Sequence, residues 1–573
     1  MCGIFGYKGD EQASGIVHKG LKKLEYRGYD SSGVAVVSNP SVKVEKKEGR
    51  VEELDPKFEG KTGIGHTRWA THGGVNDKNA HPHTCDEGKI AVVHNGIIEN
   101  HERVREEIGQ EKFKSDTDTE VIPHLLKKYL TIHEDDIQKA LEATVDRLEG
   151  AYAFAAILES GEMIAYRKES PLVIGLNDGE YFLASDVNPF LEHTRKAVFL
   201  QDGEYAIIEK ELKLFSDGEE KEPEITEIEW DEEEASKAGH DHFMQKEILE
   251  QPETVKRAVF QDKSDVEKSV EMIQDADRVF LTACGTASFA ADLGAKYLRE
   301  AGIEAYSDQS HEFEYQASRV KEDDLVIAVS QSGETADLLS ALKQVDASVL
   351  SVVNVVGSTL SRNSTHNMYV NAGPEIGVAS TKAFTAQLTV LKLLALTMQR
   401  DISEARESLL ETSKKIESML EKNEEEINRI AEYIVEKDDI YFIGRNRGRE
   451  LAKEASLKLK ELSYIHSEAF PGGEFKHGTL SLIEEGVPVF AFLTDDESAT
   501  LSNAIEAGSR GADLIGVGTE KRDNFEYFLE VPEDENSEIL EIIPFQLLAY
   551  RTSVLKGNDP DKPRNLAKSI TVK

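Results

Sequence analysis

Met1-Cys2-Gly3-Ile4-Phe5-Gly6 opens the chain, and the reading of this stretch decides the fold. Cysteine is small enough for a preceding initiator methionine to be removed. Removal would leave Cys2 carrying a thiol and a free α-amino group on one residue. An α-amine has a reference pKa of ~7.7–8.0, so at neutral pH part of it is unprotonated and can act as a base. A thiol with a base in its own backbone is an activated nucleophile of the N-terminal kind. A small second residue also arises by chance, so the rest of the chain decides between chemistry and accident.

The 573 residues are too many for one core and suggest three or so domains at roughly 100–200 residues each. No run approaches the ~18 uninterrupted apolar residues of a membrane span. The N-terminus lacks a basic-then-apolar export signal, so a cytoplasmic protein is expected. Cys2, Cys85 and Cys284 form neither a disulfide framework nor a paired metal-ligand spacing. Against 67 basic residues stand 108 acidic ones, a net charge of −41. Such a surface repels nucleic acid and anionic lipid, so neither is an expected partner. The densest patch is Glu229-Trp230-Asp231-Glu232-Glu233-Glu234. Two readings stay open, an ordinary solvated surface and adaptation to a salty interior.

Residues 1 to about 240 read as strand-rich, with short apolar or alternating runs at 4–7, 34–37, 63–66, 90–94 and 151–158. Helices are expected over 12–24 and 119–130, the second after the N-cap candidates Ser115-Asp116-Thr117-Asp118. Three further polar clusters stand out: Tyr26–Ser31, His66-Thr67-Arg68-Trp69-Ala70-Thr71-His72-Gly73, and His94-Asn95-Gly96. Taken singly they read as a surface salt bridge, a hairpin turn at Asn95-Gly96 and a helix cap at Asp118. Their co-occurrence with Met-Cys-Gly-Ile changes the balance.

Together these stretches resemble the glutaminase domain of class II glutamine amidotransferases. The resemblance implies a layered αββα fold of the N-terminal-nucleophile type. It makes Cys2 the nucleophile on the glutamine amide, with Asn95 and the Gly96 amide as oxyanion hole. Glutamine is a zwitterion, so its carboxylate needs a cation and its ammonium an anion. By resemblance Arg68 holds the carboxylate, with Trp69, Thr71 and His72 nearby, and Asp118 holds the ammonium.

Residues 219–237 form a charged, glycine-poor run, and the domain boundary is placed there, with 1–220 as first domain and 221–245 as linker. His240-Asp241-His242-Phe243-Met244-Gln245-Lys246-Glu247-Ile248 follows. Its two histidines lack a third ligand close in sequence and read as interdomain contacts rather than a metal site. Beyond it strand and helix alternate, and a similar layout returns after residue 440, an internal repeat of an open, mainly parallel α/β unit. Ser330-Gln331-Ser332-Gly333-Glu334-Thr335 puts hydroxyls and glycine where a strand opens into a helix, a place for a phosphate. The second copy carries Thr494-Asp495-Asp496-Glu497 there, which would repel one.

These loops resemble the sugar isomerase (SIS) domain, a doubly wound α/β unit that binds phosphosugars, here at 246–405 and 406–555. With the tail 556–573, the order of parts resembles the isomerising aminotransferase family. The resemblance implies that glutamine and fructose-6-phosphate become glutamate and glucosamine-6-phosphate, the first step of hexosamine (UDP-N-acetylglucosamine) synthesis. It implies no metal and no organic cofactor. It places the sugar phosphate among Thr286, Ser330, Gln331, Ser332 and Thr335, with Val378 and Ser380. Lys568 would form a Schiff base at C2, and Glu461, assisted by Lys458, would move the proton between C1 and C2. His477 would assist ring opening from a neighbouring subunit, implying a homodimer. Three departures stand out: Ala287 replaces the family's serine, Phe470-Pro471-Gly472-Gly473 replaces an alanine-rich version, and Thr479 replaces a proline.

The net charge of −41 carries a testable consequence. Screening lengths shrink to about 3 Å at 1 M salt, so carboxylate repulsion fades. The thermal midpoint should hold or rise as potassium chloride approaches molar levels; a steady fall would contradict this.

Overall fold

A computed structural model describes residues 2–39, 41–70, 72–85, 88–228, 236–493 and 497–570. Met1, Thr71, the acidic run at 229–234 and the loop residues 494–496 lie outside the described residues. Two compact units form: Met1–Ala235 with Ser569–Lys573, and Ser236–Lys568.

The first unit stacks two largely antiparallel sheets. The eight-stranded sheet runs Thr226–Glu227, Lys196–Phe199, Val173–Asn177, Glu180–Ala184, Gly3–Lys8, Thr62–Arg68, Ser31–Ser38, Ser41–Glu48. The seven-stranded sheet runs Glu219–Lys221, Leu212–Ser216, Tyr205–Ile208, Met163–Lys168, Tyr152–Leu158, Ile90–Gly96, His83–Thr84. Period-two alternation sorts the side chains between layers. Ala91, Val93, Ala153, Ala155 and Ile157 meet Ile4, Ile64 and Leu183 between the sheets. Ile90, Val92, Phe154 and Ala156 point the other way, against Val121, Ile122 and Leu125 of the helix Val121–Ile132. Phe5 lies under the helix Ala13–Lys23, so closely that a Cβ on Gly20 would come 2.3 Å from its ring. The layers therefore run αββα, as the resemblance implied.

Two expectations change. Residues from the stretch read as linker complete both sheets: Lys221 pairs with Leu214, and Thr226 with Ala197. Their strands are short and polar because they sit at sheet edges, where no second face needs covering. Asp118 does not cap the following helix, whose N-cap position, Glu120, makes no side-chain cap bond. Its carboxylate instead accepts from the backbone amide of Ile98 at 2.8 Å.

The second unit contains two five-stranded parallel sheets. One runs Ala305–Gln309, Val279–Ala283, Leu325–Ser330, Ser348–Val353, His366–Tyr369. The other runs His466–Pro471, Asp439–Gly444, Pro488–Phe492, Asp513–Gly518, Tyr527–Glu530. Both carry the same order, with the second strand outside the first, so the repeat is real in three dimensions. The first strand of each copy leads into a long helix, Thr286–Glu300 or Arg447–Ser463. Between the copies lie Lys382–Thr397, buried along nearly its whole length, and Ser537–Leu555. Through these helices Leu281 and Ile327 of the first sheet share one apolar cluster with Phe442 and Phe490 of the second.

His242 contacts the second unit's last long helix. Its Nδ1 lies 3.1 Å from the Tyr550 hydroxyl, on the last helix before the tail. Asp561 of the tail accepts from the amides of Phe243 and Met244 at 2.9 and 2.8 Å, satisfying the start of the helix Phe243–Leu249. The run opening the second half is thus the anchor of the C-terminal tail.

Candidate active site

In the first unit, Cys2 immediately precedes the strand Gly3–Lys8, which pairs with Thr62–Arg68 in the register Gly3↔Thr67. That register brings Arg68 and Trp69 beside the thiol. Residue 3 must be glycine, because a Cβ there would come 2.6 Å from Thr67 Oγ1. The Trp69 amide donates to Cys2 Sγ at 3.2 Å, and Sγ lies 3.4 Å from the Trp69 carbonyl. Burial pushes the thiol pKa up, so the resting group is a thiol and needs a base.

The Cys2 carbonyl accepts from Asn95 Nδ2 at 3.1 Å and from Arg27 Nε at 3.3 Å. Asn95 is oriented by His66, whose Nε2 lies 3.0 Å from the His94 carbonyl and 3.1 Å from Asn95 Oδ1. Both partners are oxygens that only accept, so Nε2 carries the proton and donates. This fixes which end of the Asn95 amide faces Cys2. Gly96 adopts φ +109°, and a Cβ there would meet the Ala151 carbonyl at 2.1 Å, so only glycine closes this strand.

Arg68 is buried and donates to the carbonyls of His72, Gly73 and Gly74. Trp69 stands edge-on to Tyr29 at 5.7 Å. Arg27 and Asp30 emerge as support: Arg27 pairs with Asp186 at 3.2 Å, and Asp30 accepts from the Ala70 amide at 2.9 Å. The sequence flagged their cluster without assigning it this task. Behind Asn95 four buried histidines pack ring to ring, with His81 centred 4.1 Å from His66 and 4.7 Å from His83, and stacked with His94. Burial holds His66 at about 3, and lowers His81, His83 and His94, so all four stay neutral.

In the second unit, Ser330 ends its strand and its Oγ accepts from the Gly333 amide at 3.0 Å, a bond that leaves its own hydrogen uncommitted. Ser332 Oγ accepts from the Glu334 amide at 3.2 Å, and Thr335 is the N-cap residue of the next helix. Gln331 lies between them, partly exposed. Glu334, the one anion in this loop, is tied away by the Thr359 amide and hydroxyl at 2.8 and 2.7 Å. Thr286 begins the helix after the neighbouring strand.

Lys458 and Glu461 form an ion pair on the helix Arg447–Ser463, with Glu454 one turn back and 3.5 Å from Lys458. Burial pushes Glu454 up to about 8, against the opposing pull of Lys458 and the Thr286 side chain. The spacing of Glu454, Lys458 and Glu461 at i, i+4 and i+7 marks one helix face and could have revealed Glu454 from sequence. Burial opposes the charge on Lys458, but Glu454 and Glu461 hold its pKa above the usual value.

Lys568 donates to Glu375 at 2.5 Å and to the Gly377 carbonyl at 2.8 Å. Ser380 Oγ donates to the same Glu375 oxygen at 3.0 Å, and the Val378 amide donates to the Asp561 carbonyl at 3.2 Å. The expected neutral lysine is therefore found in an ion pair, because a buried carboxylate faces it. His477 follows the short turn Glu474–Lys476, is exposed, and makes no side-chain hydrogen bond among the described residues. Among the described residues no three His, Cys, Asp or Glu side chains are placed to hold a metal ion, and no helix is long and apolar enough to cross a membrane.

Comparison with known proteins agrees with this geometry. The glutamine amidotransferase domain pattern matches residues 66–192, and the SIS domain pattern matches 272–397 and 433–556. Over its full length the chain is 44% identical to the whole of a glutamine–fructose-6-phosphate aminotransferase (isomerizing) of Thermococcus kodakarensis. It is 43% identical, again over all of both chains, to the protein of that name from Methanothermobacter thermautotrophicus. Among solved structures, the C-terminal domain of glucosamine-fructose-6-phosphate aminotransferase from Francisella tularensis superposes with a TM-score of 0.54 at 34% identity, covering 57% of this chain and all of that one.

The histidine cluster predicts acid sensitivity of the first unit. Each ring is neutral when folded but titrates near 6.5 when unfolded, so unfolding takes up protons as pH falls below 6.5. Stability is therefore lost on acidification, by up to about 1.4 kcal/mol at pH 5.5 for each of His66, His81 and His83. Trp69 belongs to this unit, so in a Trp230→Phe background tryptophan fluorescence reports on it alone. The urea midpoint read from tryptophan emission should drop steeply between pH 7 and 5.5; a flat midpoint would refute the assignment.

Proposed function

The chain belongs to the glutamine–fructose-6-phosphate aminotransferase (isomerizing) family, and from that premise we propose how its residues divide the work. The reaction moves the amide nitrogen of glutamine to fructose-6-phosphate, giving glucosamine-6-phosphate and glutamate.

Once Met1 is removed, the α-amine of Cys2 takes the thiol proton, and sulfur attacks the glutamine side-chain carbonyl. Asn95 Nδ2 and the Gly96 amide receive the oxyanion, a device worth ~2.7–4 kcal/mol per donor. Ammonia leaves, and water hydrolyses the thioester to glutamate and free thiol. Arg68, with Trp69, Thr71 and His72, takes the substrate carboxylate. Asp118 takes the ammonium with the oxygen not used by Ile98.

In the second unit the sugar phosphate lies among Thr286, Ser330, Gln331, Ser332 and Thr335. Val378 and Ser380 flank Lys568, which forms an imine at C2 that ammonia then displaces. Glu461 removes the C1 proton and returns it at C2, with Lys458 holding the carboxylate in place. His477 acts on the partner's sugar in a homodimer, a role that suits an exposed side chain on a surface turn. The single observation that carries this reading is Asn95, locked by His66 so that its amide hydrogens face Cys2.

Mass spectrometry of the active enzyme should find Met1 absent; full retention would remove the base. Cys2→Ala should abolish both glutamine hydrolysis and aminosugar synthesis, while slow conversion of fructose-6-phosphate to glucose-6-phosphate persists without glutamine. Loss of that isomerisation in folded, sugar-binding protein would overturn the two-site division.

A further inference from the structure

Glu247 lies within the run that anchors the tail, and nothing in the reaction described so far uses it. Its side chain is buried, and Oε1 accepts from the amides of Ile376 at 2.6 Å and Gly377 at 3.2 Å. Those two residues follow Glu375 in the loop whose Gly377 carbonyl accepts from Lys568. Glu375 Oε1 accepts from the amides of Thr381 and Ala383 at 2.8 and 3.0 Å, leaving Oε2 to face the lysine. Glu375 thus meets the amine directly, and the buried Glu247 carboxylate, from a separate element, ties down the loop that follows it.

We propose that Glu375 is the proton acceptor that frees Lys568 for attack, and that Glu247 is a positioning residue that holds the loop and biases the lysine towards its charged form. This rests on Lys568 being the imine-forming lysine. Attack at C2 requires a nitrogen lone pair, which an ammonium lacks. One N–H bond of Lys568 breaks and an O–H bond forms on Glu375. The freed lone pair makes the N–C2 bond, and a second nitrogen proton moves to the sugar oxygen, giving a carbinolamine. The C2–OH bond then breaks, the hydroxyl leaves as water with the proton from Glu375, and a protonated imine and a carboxylate remain. Protons and charge balance without another reactant.

The charges around the amine fit this role. Lys382, bonded to Glu250 at 2.8 Å, and Lys458, paired with Glu461, are nearby cations that each have their own carboxylate partner. Burial and the nearby Glu375 push Glu247 up to about 7. Burial works against the ionised form of Glu375 too, but the contact with Lys568 holds its pKa below the usual range. Lys568 thus rests in an ion pair with Glu375.

The test is borohydride trapping with fructose-6-phosphate across pH 5–10, read by mass on the peptide containing Lys568. In the unmodified enzyme the hexose should attach there; no adduct at any pH would overturn the role of the lysine and this inference with it. Glu375→Gln removes the facing negative charge, so the trapping midpoint should move down by at least one pH unit. The plateau rate should fall at least tenfold, because the amide cannot carry a proton from the nitrogen to the departing hydroxyl. Glu247→Gln should move the midpoint in the same direction by less and leave the plateau rate within twofold. A purely structural role would lower adduct yield at every pH without moving the midpoint. Midpoints that stay fixed or rise in both variants, with the adduct on Lys568 in the parent, overturn the inference and leave the imine reading standing. Should Glu375→Gln not fold, the direction of the Glu247→Gln shift decides.

Discussion

Backbone pairing between Gly3–Lys8 and Thr62–Arg68 is the constraint on which the first unit depends. Six residue pairs set one register, and a slip of one residue would send every side chain to the opposite face. In the observed register Ile4 and Ile64 enter the core between the sheets, and Arg68 arrives beside Cys2. The same hydrogen bonds that fill the core therefore build the site. Cys2 needs no dedicated loop, because its neighbour in sequence is already fixed within a sheet.

The second unit depends on charge where the first depends on pairing. Glu247, Glu375, Lys382, Lys458, Glu454 and Lys568 are all withdrawn from water. Burying an ion costs several kcal/mol even after relaxation, and good pairing offsets this only in part. Such a cluster is a poor way to gain stability, and its presence marks a place where proton affinities matter more than packing. The surrounding core, formed by two parallel sheets and the helices between them, supplies the stability that the cluster does not.

Much of this was legible in the sequence. Alternating strand and helix after residue 278 fixed two parallel sheets, and hydroxyls at the end of Leu325–Ser330 marked the loop proposed to hold the phosphate. What was not legible depended on partners far apart in the chain. Glu375 and Glu247 carry no local pattern; only folding brings them to a lysine 193 residues beyond Glu375. Asp118 sits where a helix cap belongs, but a backbone amide from Ile98 competes for it and wins. The edge strands Glu219–Lys221 and Thr226–Glu227 are too short and too polar to show an apolar alternation. His66 read as one of many donors until its two oxygen partners settled its proton.

The helix Lys382–Thr397 has a consequence for the repeat. It lies within the first copy, yet it is buried along nearly its whole length and its apolar residues share a cluster with both sheets. Cutting the chain between the copies would expose a helix with no polar face to turn outward. The two halves look like interchangeable modules in sequence, yet they share one core, so duplication here has tied each copy's packing to the other.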